Sequence, residues 1–261
     1  MPSDQPPALT VEGLSKRYYL RGGPAKELKA AVLNLPRLFS NGRARHAFWA
    51  LQDVSFTLQR GEAIGVAGPN GSGKSSLLRV LAGITQPTSG TFECNGRVSA
   101  LLELGSGFHP QISGRENALL NAVLLGLTLQ EARDALPEII AFSELGEFID
   151  QPMRTYSSGM YVRLGFAVAV HVRPEILLVD EVLAVGDAEF QSKCFAHMRK
   201  LREAGVSILF ASHDLASLHR YTDRVILLEH GRIVNEGKPA KVLYDYLLQV
   251  FPPESKVGVR V

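Results

Sequence analysis

Cysteine is scarce. Cys94 and Cys194 are the only two in 261 residues, and neither stands in a C-x-x-C or His-containing metal spacing. That excludes a disulfide framework and fits a reducing compartment. Long apolar runs are missing as well: the most apolar stretch, Ala118 to Leu129, holds 12 residues and is broken by Asn121 and Gly126. A membrane-spanning helix needs about 20 consecutive apolar residues, so no crossing is expected. The N-terminus, Met1 to Pro7, is polar and proline-rich and lacks the charged-then-apolar layout of a secretory leader. Nor is one sign of charge in excess, since 28 basic and 26 acidic residues leave a formal +2. A protein that coats nucleic acid through its global field is thereby disfavoured, and no nucleic-acid partner is expected. No element recurs, which excludes a repeat architecture.

What the chain does have is core material, 46% hydrophobic against 21% charged residues, the profile of a globular fold. Four short apolar runs, Ala63 to Ala67, Ile176 to Val179, Ser207 to Ala211 and Arg224 to Leu228, do not alternate and are too short for helices. They read as strands buried on both faces, as in a parallel sheet. Helical patterns intervene at Ser75 to Ala82, Gly159 to Val172, Ala188 to Glu203 and Leu215 to Tyr221, so the fold class is α/β. Two further β pieces, Leu9 to Leu14 and Leu51 to Leu58, come first. The tight-turn pair Asn95-Gly96 joins Thr91 to Cys94 with Arg97 to Leu102, which predicts an antiparallel β flank. From Ser113 to about Glu147 the pattern is helical without strands, which predicts an inserted helical subdomain.

The strand Ala63 to Ala67 runs into Gly68-Pro69-Asn70-Gly71-Ser72-Gly73-Lys74-Ser75-Ser76. This satisfies G-x-x-x-x-G-K-[ST] in the strand-to-helix setting that the motif requires. Glycines let backbone N–H groups turn inward around phosphate oxygens, and the following helix adds its positive end. Lys74 would reach the β- and γ-phosphates of a nucleotide and the Ser75 hydroxyl would hold Mg2+, while Ser76 has a helix-start role. The run Ile176 to Val179 delivers Asp180 and Glu181 at a strand end, Asp180 for the metal's water shell and Glu181 as general base or water orienter. A further strand ends in Ser212-His213-Asp214, where His213 would donate to a terminal phosphate.

Tyr156-Ser157-Ser158-Gly159-Met160 opens a long helix about 20 residues before Asp180. With the phosphate loop, the Asp180-Glu181 strand end and His213 in that order, the chain resembles ABC-type ATPases from residue 8 to about 250. The resemblance implies a P-loop NTPase core of the ABC nucleotide-binding type, one domain over 1–261 with a helical subdomain at about 105–172. It further implies ATP and Mg2+ as ligands and a head-to-tail homodimer. In that dimer Ser157, Ser158 and Gly159 of one copy face the γ-phosphate on Lys74 of the other, and Asp187 crosses to the second site. Tyr18, or its neighbour Tyr19, resembles the aromatic that stacks on adenine. Glu103 stands where the family usually carries a glutamine that senses the metal and γ-phosphate, and Ser158 and Met160 replace the usual glycine and glutamine of the signature.

Leu101 to Phe108, Ser113-Gly114-Arg115-Glu116-Asn117 and Asp180 to Asp187 together resemble the ATP-binding subunits of bacterial polysaccharide exporters. That implies an integral membrane permease dimer as partner, a lipid-linked glycan as indirect cargo, and a place on the cytoplasmic face of the inner membrane. An importer ATPase and a soluble ABC-type ATPase of translation or DNA repair are the alternatives. An insertion over 21–46 carries Arg21, Lys26, Lys29, Arg37, Arg43 and Arg45 against Glu27 alone. Leu28, Val32, Leu35 and Phe39 give it an amphipathic spacing suited to a headgroup surface. A tail over 251–261 is too short for the carbohydrate-binding domain that some relatives append.

Overall fold

The computed structural model describes residues 6–20, 46–102, 107–180 and 188–251. Glu103, Glu181 and Asp187, the insertion up to residue 45, and the tail from 252 lie outside the described residues.

Two sheets and a layer of helices make up the fold. The smaller sheet is antiparallel, ordered β2-β1-β4, from β1 (Leu9–Leu20), β2 (His46–Leu58) and β4 (Ser89–Cys94). The larger has six strands in the order β5-β6-β7-β3-β8-β9. In it β3 (Ala63–Ala67), β5 (Val98–Leu101), β6 (Ile176–Val179), β7 (Ser207–Ala211) and β8 (Arg224–Glu229) are parallel, and β9 (Arg232–Gly237) closes the edge antiparallel to β8. Every residue of β3, β6 and β7 is buried, as expected of parallel strands covered on both faces. Alternation along each strand then divides the interior. Ile64, Val66, Leu209 and Ala211 pack with α1 (Lys74–Leu81) and the antiparallel sheet. Ala63, Ala67, Ile208 and Phe210 pack with the helices of the opposite face.

A third cluster lies among α2 (Gly114–Leu124), α3 (Leu129–Ser143) and α4 (Ser158–His171). Both α2 and α3 begin with capping boxes, Ser113 with Glu116 and Thr128 with Glu131, which satisfy amide groups that a helix start otherwise leaves unpaired. Helix α4 serves two cores: Phe166, Ala169 and Val170 face the sheet, and Leu164, Ala167 and Val168 face the helical layer. Helices α5 (Ala188–Glu203), α6 (Leu215–Tyr221) and α7 (Pro239–Val250) complete the sheet side.

The Asn95-Gly96 turn corrects one expectation. It does not close a hairpin, because β4 pairs with β1 and β5 pairs with β6 in the other sheet. Asn95 is tied backward, its N–H to Ala8 O at 2.8 Å and its side-chain amide to Pro7 O at 3.0 Å. Arg97 is tied forward, its carbonyl accepting from the N–H of Glu175 at 2.9 Å. The turn is thus a crossing between sheets. The first strands are also longer than their apolar cores suggest, since β1 and β2 stay paired out to Leu20 opposite His46.

Candidate functional site

Strands β3, β6 and β7 are parallel neighbours or next neighbours, so the segments leaving their C-terminal ends emerge at one edge of the sheet. The phosphate loop, Asp180 and His213 therefore share the carboxyl edge, where open α/β sheets bind their ligands. The loop's backbone is one that only glycine fits at two points. Gly68 has φ 142, and a Cβ there would lie 2.1 Å from Leu228 O; Gly73 has φ 113, with a Cβ 2.3 Å from Ala50 O. Lys74, only 7% exposed, donates through Nζ to Gly68 O at 2.7 Å and Pro69 O at 3.0 Å. A buried ammonium thus sits at the centre of the loop, with two backbone carbonyls among its partners. Ser72 Oγ is buried in the loop without a hydrogen-bond partner.

A recess of about 220 Å3 opens beside the loop, lined by Asn70, Gly71, Gly73, Lys74, Ser75 and Ser76 and by Phe48 and Ala50 of β2. Phe48 is half-exposed there. The apolar pattern predicts this strand only from Leu51, so Phe48 carries no signal in the sequence. Tyr18 lies directly opposite Phe48 in the β1/β2 ladder, so the two share one face of that sheet. Tyr19 takes the other face. Its hydroxyl accepts from Arg17, whose guanidinium lies 4.9 Å from the Tyr19 ring and 5.2 Å from that of Trp49. Neither tyrosine lines the recess; of the two left open by the sequence, Tyr18 shares the sheet face of Phe48, which does.

A second recess, about 230 Å3, is lined by Gly68, Pro69, Asn70 and His213 and by Tyr246, Leu247 and Val250 of α7. His213 is exposed at its rim. It is set in place by its neighbours: Ser212 N–H reaches Val66 O at 3.4 Å, and Asp214 N–H reaches Ser212 Oγ at 3.0 Å. Asp214 caps α6, accepting from the Ser217 hydroxyl and from the amides of Ala216 and Ser217, and those bonds hold its carboxyl below the ordinary range. Asp180 is half-buried at the end of β6.

The segment at Tyr156 is brought elsewhere. Ser157 is the N-cap of α4, its Oγ accepting from Met160 N–H at 3.3 Å, with Ser157 and Ser158 exposed. Neither recess is lined by residues 157–160. This helix start directs the positive end of its dipole outward. Its mounting explains two motifs at once. A Cβ on Gly114 would fall 2.0 Å from Tyr156 Oη, which donates to Phe148 O at 2.7 Å. Burial lifts that phenol to about 12. Arg115 pairs with Asp150 at 2.7 Å, and Asn117 binds His109 through both backbone N–H and C=O. The Ser113 to Asn117 run and the segment before α4 are thus one packed unit.

The donors fit a magnesium nucleotide. A glycine-walled loop around a buried ammonium suits phosphate, and a serine hydroxyl with a carboxylate at one sheet edge is the hard oxygen set that Mg2+ takes.

Comparison with known proteins points the same way. The model of the ABC transporter family matches residues 51–184. The O-antigen export system ATP-binding protein RfbB of Klebsiella pneumoniae is 44% identical over 92% of this chain and 97% of its own length. The protein of the same name from Myxococcus xanthus is 47% identical over 86% of this chain, which spans about half (51%) of that longer relative. Among solved structures, the ATP-binding cassette MJ0796, in a dimeric post-hydrolysis state with ADP and Pi, superposes with a TM-score of 0.70 at 21% identity, over 88% of this chain and 98% of that one.

Proposed function

The chain belongs to the ABC transporter family, and from that premise we propose that it is the ATP-hydrolysing subunit of an exporter of lipid-linked polysaccharide. The observation that carries the export reading is the 44% identity to an O-antigen export ATP-binding protein over 97% of that protein's length. The carboxyl-edge cluster of phosphate loop, Asp180 and His213 supports the ATPase chemistry.

In this reading the loop amides over 68–75 bind the phosphates, and Lys74 exchanges its carbonyls for β- and γ-phosphate oxygens. Moving the ammonium from these neutral carbonyl oxygens to anionic phosphate oxygens adds Coulomb attraction between opposite charges. Ser75 and Asp180 would hold Mg2+, which would supply neutralisation of phosphate charge. Glu181 accepts the proton of the attacking water, and His213 donates to the γ-phosphate. Glu103 would be a further oxygen donor to the metal, in place of the family's glutamine. Tyr18 and Phe48 form the wall for the base. The γ-phosphate is covered by Ser157, Ser158 and Gly159 of a second copy, with Asp187 crossing between copies. The outward placement of the α4 start supports that arrangement, since one chain does not bring it to its own loop. ATP drives closure only if it binds the closed pair better than the open one. The closing pair would work an integral membrane permease dimer from the cytoplasmic face of the inner membrane. No helix among the described residues is long and apolar enough to cross a membrane.

The test is ATP binding and turnover by the purified chain. Lys74→Ala should lose turnover by at least about 100-fold, while Glu181→Gln should bind ATP, stop hydrolysing it and elute as a dimer. A Glu181→Gln chain that hydrolyses at the native rate would remove the base from this scheme.

A further inference from the structure

A glycine and a phenol meet beneath the start of α4. Tyr156 stands directly before Ser157, the N-cap of that helix, and is 8% exposed, with its ring edge-on to Tyr161 at 5.9 Å. Its hydroxyl donates to Phe148 O at 2.7 Å, a carbonyl that also accepts from Gln151 N–H at 2.9 Å. The other contact of the hydroxyl is with Gly114, the first residue of α2, where a Cβ would lie 2.0 Å from Oη and 2.9 Å from Cζ.

The seat around the ring is fixed by backbone. Gly114 N–H reaches Gln151 O at 3.3 Å, Met153 N–H reaches Ile112 O at 3.0 Å, and Arg154 N–H reaches Pro110 O at 2.9 Å. Asn117, fully buried, secures the first of these two segments from below. Its Oδ1 accepts from His109 N–H at 2.6 Å, and its Nδ2 donates to the carbonyls of His109 and Ser113, both at 3.0 Å.

Local structure demands neither member of the pair. Gly114 does not have a left-handed φ, and alanine is the better helix former. Phe148 O keeps its bond from Gln151 if the hydroxyl is removed, so no buried acceptor is orphaned. What the pair does set is distance: with Gly114 and Phe148 O both against the hydroxyl, the phenol cannot slide along its long axis towards α2. We propose that Tyr156 is a positioning residue, its phenol seated on Gly114 to fix where Ser157 to Gly159 are presented to the second copy. Tyr156 lines neither recess beside the phosphate loop, so it acts through the helix start that follows it. A misplacement of about 1 Å at a reacting group is enough to cost about 100-fold in rate. The inference rests on the two-copy ATPase reading and deepens it.

The experiment measures kcat, equilibrium affinity for ADP and thermal midpoint for the native chain, Gly114→Ala, Tyr156→Phe and the double variant, with Lys74→Ala as blank. ADP has no γ-phosphate for a second copy to cover, so its affinity reports the chain's own loop. Gly114→Ala forces the phenol aside and should lower kcat about tenfold, with ADP affinity within about twofold of native. Tyr156→Phe should lower kcat about threefold, again with ADP affinity kept. The double variant should turn over like Tyr156→Phe and faster than Gly114→Ala, because removing the hydroxyl removes the closest clash. Native kcat in Gly114→Ala, a kcat loss matched by an equal loss of ADP affinity, or a double variant no better than Gly114→Ala would each overturn the proposal. If Gly114→Ala does not fold, Tyr156→Phe decides alone: native kcat there overturns it, and a loss at constant ADP affinity and a thermal midpoint above the assay temperature supports it. All of these outcomes leave the ATPase reading intact, which a native chain unable to hydrolyse ATP would overturn.

Discussion

At the scale of single residues, the phosphate loop is built by what is left out. Gly68 and Gly73 are required because backbone carbonyls of Leu228 and Ala50 stand where a Cβ would be, and the buried Lys74 is poised on two carbonyls that a phosphate can replace. The proposed base wall is the part that residue types alone do not reveal. Tyr18 is visible as an aromatic near the N-terminus, but its separation from Tyr19 depends on strand register, which pairs it with Phe48. Phe48 itself stands in an exposed Ala-Phe-Trp stretch without the alternation that identifies a half-buried strand. Aromatic stacking contributes about 0.5–1.5 kcal/mol, so Phe48→Ala should raise KM for ATP between about twofold and tenfold and leave kcat nearly native. An unchanged KM in steady-state turnover would remove Phe48 from the base wall.

At the scale of elements, the parallel strands are legible because burial on both faces writes them as unbroken apolar runs; Ala63–Ala67, Ile176–Val179 and Ser207–Ala211 appear with those bounds. The crossing at Asn95-Gly96 is not. A tight turn has the same local chemistry whether its arms pair with each other or with distant strands, and here the deciding bonds run to Ala8 and Glu175. The joint between α3, α4 and α5 is equally hidden, since its residues are distant in sequence. It carries a pH response. His171 and His197 lie with ring centroids 4.9 Å apart and His197 Nε2 has no partner. Burial pulls His197 down to about 4, with His171 and Lys200 adding to the shift and Glu138 opposing it. Burial lowers His171 as well, with Lys193 adding and Glu138 opposing. The unfolded chain therefore takes up protons before the folded one as pH falls from 6.5 towards about 4, and stability is lost across that window. His197→Phe should flatten the decline of the denaturation midpoint between those values and cost little at pH 7, where it removes an unsatisfied buried nitrogen. A decline as steep as the native one would show that the response arises elsewhere.

At the scale of the whole molecule, one chain supplies one phosphate loop and one outward-facing α4 start, and in the proposed function a second copy completes each site. The motifs and their order make the fold class and the ATPase chemistry legible from sequence, because each motif is a local strand-to-helix device whose chemistry is carried by adjacent residues. What the assembly moves is legible only as likeness, because the identity of a cargo is not written in a nucleotide site. Export is the central claim, and the measurement that tests it most directly is deletion of this gene in the source organism, with labelled lipid-linked glycan followed inside the cell and at its surface. The predicted result is glycan that accumulates on the cytoplasmic side and disappears from the surface, restored by the native chain and not by Lys74→Ala. Surface glycan at native levels in the deletion strain would contradict it.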